Sequence, residues 1–468
     1  MAELKRSATG GRMNEIMEIF FSKRPEMQKK SKFPGTFDEY ASNLAKSIKT
    51  RNEKGVLSGI ILKEVTRLLF KEKSIEALER QLSKFPIISC ADHLGLLNYK
   101  LLYNSNLLYA QIIRKMNLPF VITLATGSVP MVNKSHPRGF YFKGEKFNFF
   151  AERKSKMPVM LFESKLCADR KQGIDSLISS YNKNLISQEE KKFLAFLFFD
   201  GLEVEKAGET YETYSDQLTF LNYKIWKFFF DKSIRDTIPD IIYLQSDPIY
   251  MEILIEEMKK KDSLISLILF DPQVRKEYLK NFQGIACCWG ENMGSHLLWG
   301  IGENKKFISL RFDEASNKLI GEDFSIKLEA DIISEALKSK KIFPTIFLDF
   351  VIVTFLEGYL TLGGFNQLEY LAQMQQAHVK SLKEIGMNDM AELFAARVTD
   401  GMICGMFPLE FDSAIDMIWH YNSHNGKFNG NLDGGLKEED LEKIRHKKVK
   451  DMITSAIETM MENISPTE

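Results

Sequence analysis

Short apolar blocks recur along the first half of the chain, and several of them stop abruptly at an acid or a polar turn. Residues 86–90 are largely apolar up to Cys90 and then break into Asp92-His93 and Gly95. Residues 119–125 repeat this form and run into a polar loop, and residues 241–244 precede Gln245-Ser246-Asp247-Pro248. Blocks of this length bounded by turn residues read as buried strands, and residues 158–162 and 193–199 are read in the same way. Between the first two blocks, residues 96–116 carry Leu97, Leu101, Leu108, Ile112 and Ile113 on one helical face. Strand, helix and strand at this spacing form a βαβ unit, whose parallel strands deliver their C-terminal ends to one sheet edge. Ligands of open α/β sheets bind outside those ends. The pattern therefore predicts that Asp92-His93 and the loop after Ala125 lie side by side.

Around this unit the periodicity is helical. Tyr40, Leu44 and Ile48 are spaced by four within 37–82, and residues 174–182, 218–231 and 272–281 also read as helices. After Gln283 the composition shifts, and residues 297–301, 307–312 and 318–321 are short strands joined by Gly and Asn turns, an antiparallel meander. Helices are expected over 330–338, 345–359, 367–385, 389–400, 413–421 and 437–461, with a Gly-Gly turn at 360–365 and an Asn/Gly loop at 422–435. The fold class is α/β: a mostly parallel sheet flanked by helices in the first two-thirds, and an α+β C-terminal part of short antiparallel meander plus helices. Three parts are expected, a helical lead-in (1–83), an α/β domain (84–282) and an α+β domain with a helical cap (283–468).

Composition narrows the function classes. Lysine plus arginine equals aspartate plus glutamate at 63 each, so no global field draws the chain to nucleic acid or an anionic membrane. Five cysteines, at 90, 167, 287, 288 and 404, form neither a disulfide framework nor a Cys-x-x-Cys site and suit a reducing cytoplasm. The N-terminus lacks the apolar core of a signal peptide. The most apolar long segment, 346–360, is short and carries Asp349 and Glu357, so it reads as a buried core helix and not a membrane span. A cytoplasmic protein without a membrane span is expected.

Candidate chemistry gathers at the strand ends. His93 titrates near neutrality and can act as a general base, with Asp92 orienting its ring. The loop 126–139 offers Ser128, Asn133, Lys134, His136 and Arg138 as donors for an anionic group of a small-molecule substrate. Asp200 follows the apolar run 193–199 as a second strand-end acid, and Glu291, Asn292, His296 and Trp299 form a polar-aromatic cluster suited to an opposite wall. Cys90, inside a strand, is a poor nucleophile, and there is no Gly-x-Ser-x-Gly elbow. No spacing specifies a metal or cofactor: His-Glu-x-x-His, the phosphate-binding Gly-x-x-x-x-Gly-Lys-Ser/Thr loop and Gly-x-Gly-x-x-Gly are all absent from the sequence. His420 and His424 do have i, i+4 spacing, and Asp92, His93, Asp200 and His296 could converge on zinc or iron.

His93, at a strand end and followed by small and apolar residues, resembles the His-x-x-x-x-Asp box of glycerolipid acyltransferases. Asn98 stands where that box has its aspartate, and no second box with an arginine or Glu-Gly follows, so the family is not assigned. The expected function is a small-molecule enzyme that transfers or hydrolyses an acyl-type or other polar group, with His93 as base and Lys134, His136 and Arg138 holding the anionic part. A metal-dependent (zinc or non-haem iron) metabolic enzyme and a non-catalytic ligand-binding or scaffold protein are the alternatives.

Overall fold

A computed structural model describes residues 17–50, 55–69, 72–150, 156–178, 186–285 and 295–462. In chain order its principal strands are β1 (Ile87–Ser89), β2 (Phe120–Ala125), the hairpin β3 (Gly139–Phe142) and β4 (Glu145–Asn148), and β5 (Asp240–Gln245). They continue as β6 (Leu298–Ile301), β7 (Phe307–Ser309), β8 (Arg311–Asp313), β9 (Lys318–Gly321), β10 (Phe324–Lys327), β11 (Ile342–Pro344) and β12 (Leu360–Leu362). The helices that matter below are α1 (Lys100–Lys115), α2 (Tyr214–Lys227), α3 (Ser246–Met258), α4 (Ile346–Phe350), α5 (Phe365–Glu384) and α6 (Ala414–Asn422).

The α/β reading holds in general terms: β12, β1, β2 and β5 form a parallel sheet in that order, accompanied by small antiparallel sheets. All six residues of β2 are buried, as expected for a parallel strand covered on both faces. The chain steps from β1 to β2 to β5, then returns across the sheet to lay β12 on the far side of β1. The direction of travel thus reverses between β1 and β12, and ligand crevices of open α/β sheets open at such a reversal, beyond the strands' C-terminal ends. The residues at that point are Cys90 to His93 and Gly363-Gly364. Because β12 lies beyond residue 282, the sheet is not confined to 84–282, and apolar side chains from Met27 to Ile457 join one continuous core.

Several expected elements differ. Residues 193–199 are not a strand but the end of a helix (Gln188–Ala195) and a π-helical turn (Phe196–Gly201). A continuous apolar run cannot distinguish a buried helix from a buried strand, and the deciding signal was the capping box of Ser187 and Glu190 just upstream. Residues 158–162 form only a single 3-10 turn, Val159–Leu161. The 345–359 helix is α4 followed by a second π-helical stretch, Val351–Leu356, and the 360–365 turn is β12 followed by its two glycines. The meander is realised as two three-stranded sheets, β11-β6-β7 and β10-β9-β8. Among the described residues no helix is long and apolar enough to cross a membrane.

One buried amide sets the start of β2. Gln81, only 2% exposed, donates from Nε2 to the Phe120 carbonyl at 2.8 Å and accepts from the Phe120 N–H at 3.1 Å. Gln81→Leu leaves both main-chain groups unpaired, at about 1–3 kcal/mol each. A urea titration should show the midpoint falling with an unchanged slope; an unmoved midpoint would refute this role.

Candidate active site

Beyond β1 the main chain keeps its pairing with the end of β2. Thr126 N–H donates to the Asp92 carbonyl and Leu94 N–H to the Thr126 carbonyl, each at 2.9 Å, so His93 lies bridged to Thr126. The turn that follows is clamped by Asn222 of α2, whose amide accepts from Leu97 N–H at 2.7 Å and donates to the Gly95 carbonyl at 2.8 Å. This clamp keeps Leu96 and Leu97 out of the helix, which begins only at Lys100. Gly95 is packed so closely on the second loop that a Cβ there would stand 3.1 Å from Pro137 Cα. The two strand ends meet as the βαβ geometry requires.

The contact between them is chemical as well as steric. His93 Nδ1 lies 2.9 Å from Asn133 Oδ1, and the same oxygen accepts from the Ser135 N–H and hydroxyl, both at 3.0 Å. A main-chain N–H can only donate, so the atom it meets is the amide oxygen and the ring proton of His93 sits on Nδ1. Nε2 is left with its lone pair and has no hydrogen-bond partner among the described residues. Burial holds the half-buried ring's pKa below the usual 6.5, outweighing the Asn133 bond that raises it, so the imidazole is neutral at pH 7.

Asp92 does not orient that ring. Its fully buried carboxyl turns onto α1, where Asn106 Nδ2 donates at 2.6 Å and the Ser105 hydroxyl at 3.4 Å, and it also meets the Tyr243 hydroxyl. Asn106 is itself held by the Thr123 hydroxyl at 2.7 Å. Burial pushes the Asp92 pKa up to about 7, although all three donors lower it. Tyr243 also reaches the His93 carbonyl at 3.4 Å, so Asp92 touches the histidine only through its main chain.

A second polar group sits at the same strand ends. Cys90 Sγ is 3.6 Å from the Tyr250 hydroxyl of α3, and burial pushes the thiol up to about 12, which keeps it a thiol and not a nucleophile. Asp247 accepts from Gly127 N–H at 2.6 Å and from Gln245 Nε2 at 3.3 Å, and it bonds the Ser128 hydroxyl. A Cβ on Gly127 would lie 2.7 Å from that carboxylate, so only glycine fits. Asp349 of α4 lies close enough to Cys90, Tyr250 and Asp247 to interact with each electrostatically. Asp247 was visible as one more acid at a strand end, and Asp349 as a charge inside an apolar helix.

The remaining expected residues are dispersed. His136 is buried with Nε2 on the Phe147 carbonyl at 3.0 Å, and burial pushes it down to about 4, so it secures the β3–β4 hairpin and offers no positive charge. Lys134 is exposed and Arg138 half-buried on the same loop. Asp200 ends a π-helical turn and is exposed, ion-paired with Arg170 at 2.7 Å. His296 is 6% exposed, its ring 6.0 Å from that of Phe347, and burial holds it near 4. Trp299, half-buried on β6, packs near Phe307. Glu291 and Asn292 lie outside the described residues. His420 ends up on α6 and His424 beyond it in a hairpin strand, so the pair does not share a helix face. Among the described residues no group of three or more His, Cys, Asp or Glu is disposed to hold a metal ion.

Asn98 uses both arms of its amide, donating to the Tyr141 carbonyl at 2.9 Å and accepting from Ile415 N–H at 2.8 Å. An aspartate could not donate, so the departure from the acyltransferase box has a structural reason here. No protein-family model matches the chain, and no curated protein matches it.

Proposed function

We propose that this chain is a small-molecule enzyme of group transfer or hydrolysis, with His93 as general base acting through Nε2. The observation that carries this reading is the Asn133 bond at 2.9 Å, which places the ring proton on Nδ1 and leaves a neutral nitrogen with a lone pair where the sheet reverses direction. A neutral imidazole so placed takes a proton from an attacking water or hydroxyl as that oxygen bonds to the substrate carbonyl. Lys134 and Arg138 lie on the loop 126–139, which also supplies Asn133 to the base, and suit a substrate that carries a carboxylate or phosphate.

The test is a panel of esters and thioesters with and without an anionic group. His93→Ala should lower kcat by about 10²–10⁴-fold while the melting temperature stays close to that of the parent. Because burial lowers the His93 pKa, the acid limb of kcat/KM should have its midpoint below 6.5. An unchanged rate in the variant would remove the proposal.

A further inference from the structure

The tautomer of His93 depends on which arm of the Asn133 amide meets the ring, and that choice is made outside the pair. An amide that turned Nδ2 to the ring would donate to Nδ1 and put the proton on Nε2, where it would block the base. What forbids the turn is the main-chain N–H of Ser135, which can only donate and meets Asn133 Oδ1 at 3.0 Å. The Ser135 hydroxyl adds a second bond at 3.0 Å but selects nothing, because a hydroxyl accepts as readily as it donates. The peptide that carries the N–H is the middle one of a β-turn over residues 133–136, closed by the His136 N–H on the Asn133 carbonyl at 2.9 Å. Middle peptides of such turns have two orientations, type I and type II, which point the N–H to opposite sides. Type II needs a positive φ at the third residue, and Ser135 does not adopt one.

The other side of the same peptide is held from β3. The Tyr141 hydroxyl donates to the Lys134 carbonyl at 2.5 Å. A trans peptide sets its C=O and N–H on opposite sides, so fixing the oxygen aims the Ser135 N–H at Asn133. Tyr141 is itself well anchored: its ring stacks on Tyr99 at 5.5 Å, meets the His136 ring edge-on at 5.4 Å, and its carbonyl accepts from Asn98 at 2.9 Å. We infer that Tyr141 is a positioning residue for the reaction proposed for His93, an inference that rests on that reading: by holding the 134–135 peptide it keeps Asn133 Oδ1 on the ring and the proton off Nε2. The chain of control runs from the Tyr141 hydroxyl through one peptide and one amide to the base, and each link is a hydrogen bond with a fixed donor.

The experiment uses two substitutions in the full chain. Tyr141→Phe keeps the stacked ring and removes only the hydroxyl, and Ser135→Gly admits the positive φ that the other peptide orientation needs. At pH 8, where the imidazole is neutral, ¹⁵N shifts of the His93 ring read the two tautomers directly. Each substitution should raise the ratio of the Nε2–H to the Nδ1–H form by about 2–10-fold, and the double variant by about the product. On the ester panel kcat should fall in step with the share of the Nδ1–H form, at unchanged KM. A role in stability alone lowers the melting temperature and leaves the ratio where it was, which overturns the inference. Should Ser135→Gly not fold, Tyr141→Phe alone decides by the same ratio. An unmoved ratio overturns the role of Tyr141 and leaves the base standing, whereas a shifted ratio with unchanged turnover overturns the base and this role with it.

Discussion

Gly139→Ala should destabilise the protein by about 3 kcal/mol or more, in the range that single substitutions seldom reach, and should damage the site with it. A Cβ at this position would stand 1.7 Å from the Phe147 carbonyl oxygen and 2.8 Å from His136 Nε2. Neither is the free end of a flexible side chain, because Phe147 O is main chain and the imidazole is bonded to it. The β3–β4 ladder must part where Gly139 faces Asn148, and the 3.0 Å bond from His136 goes with it. The disturbance runs on to the base: Gly139 N–H donates to the His136 carbonyl at 3.1 Å, and His136 N–H to the Asn133 carbonyl at 2.9 Å. Releasing Asn133 frees the His93 ring to change tautomer. Urea denaturation gives the first quantity, and ¹⁵N shifts of the His93 ring give the second. A midpoint and tautomer both equal to the parent's would refute the argument.

The second large effect is on the pH dependence of stability. His378 of α5 is fully buried, with ring centroids of Phe355 at 4.5 Å, Phe282 at 4.7 Å, Phe347 at 5.5 Å and Phe394 at 5.6 Å, and with the Tyr278 hydroxyl on Nδ1. Burial pushes its pKa from 6.5 down to about 3. Between those values the unfolded chain binds a proton that the native state refuses, so stability is whole above pH 6.5 and drains away as the pH falls. At pH 4.5 the loss from this one residue is about 3 kcal/mol. His136 and His296, both held near 4, act in the same direction.

Three acids oppose them. Asp92, pushed up to about 7, and Asp247 and Asp349, both raised, keep protons that the unfolded chain has given up, so their contribution is lost as the pH rises through the same interval. The two sets act in opposite directions, so the parent's pH dependence is the balance between them. His378→Phe unbalances them. At pH 8 the variant should be less stable by about 1–2 kcal/mol, from the lost Tyr278 partner. At pH 4.5 that deficit should vanish or reverse, because no imidazole remains to be charged. Chemical denaturation at both pH values checks this; equal deficits at the two would contradict it.

What could be read from the residues, and what could not, follows from the range of the interactions. The βαβ unit and the meeting of Asp92-His93 with the loop 126–139 are local consequences of period and spacing. The orientation of Asp92 is different in kind, because its three donors come from α1 and β5 and no pattern around residue 92 announces them. Asn133 stood among the expected substrate donors, yet its amide serves the histidine 40 residues upstream. The run 193–199 misled because helix and strand look alike when every side is buried. β12 was missed because three residues before a Gly-Gly pair carry almost no signal of their own, and only a partner from the far end of the chain makes them a strand.

That partnership bears on how the molecule comes into being. Ile87 pairs with Leu360, so one side of β1 has no neighbour until more than 270 further residues have been made. At about 5–20 residues per second on the ribosome, this open edge persists for roughly 15–55 s. The hydrogen-bonding groups of a bare central strand are a template for any other extended chain, and closing so long a loop makes the last pairing slow. The side of β1 that ends at Cys90 is therefore closed late, and a nascent chain must be kept from its neighbours until residue 360 arrives.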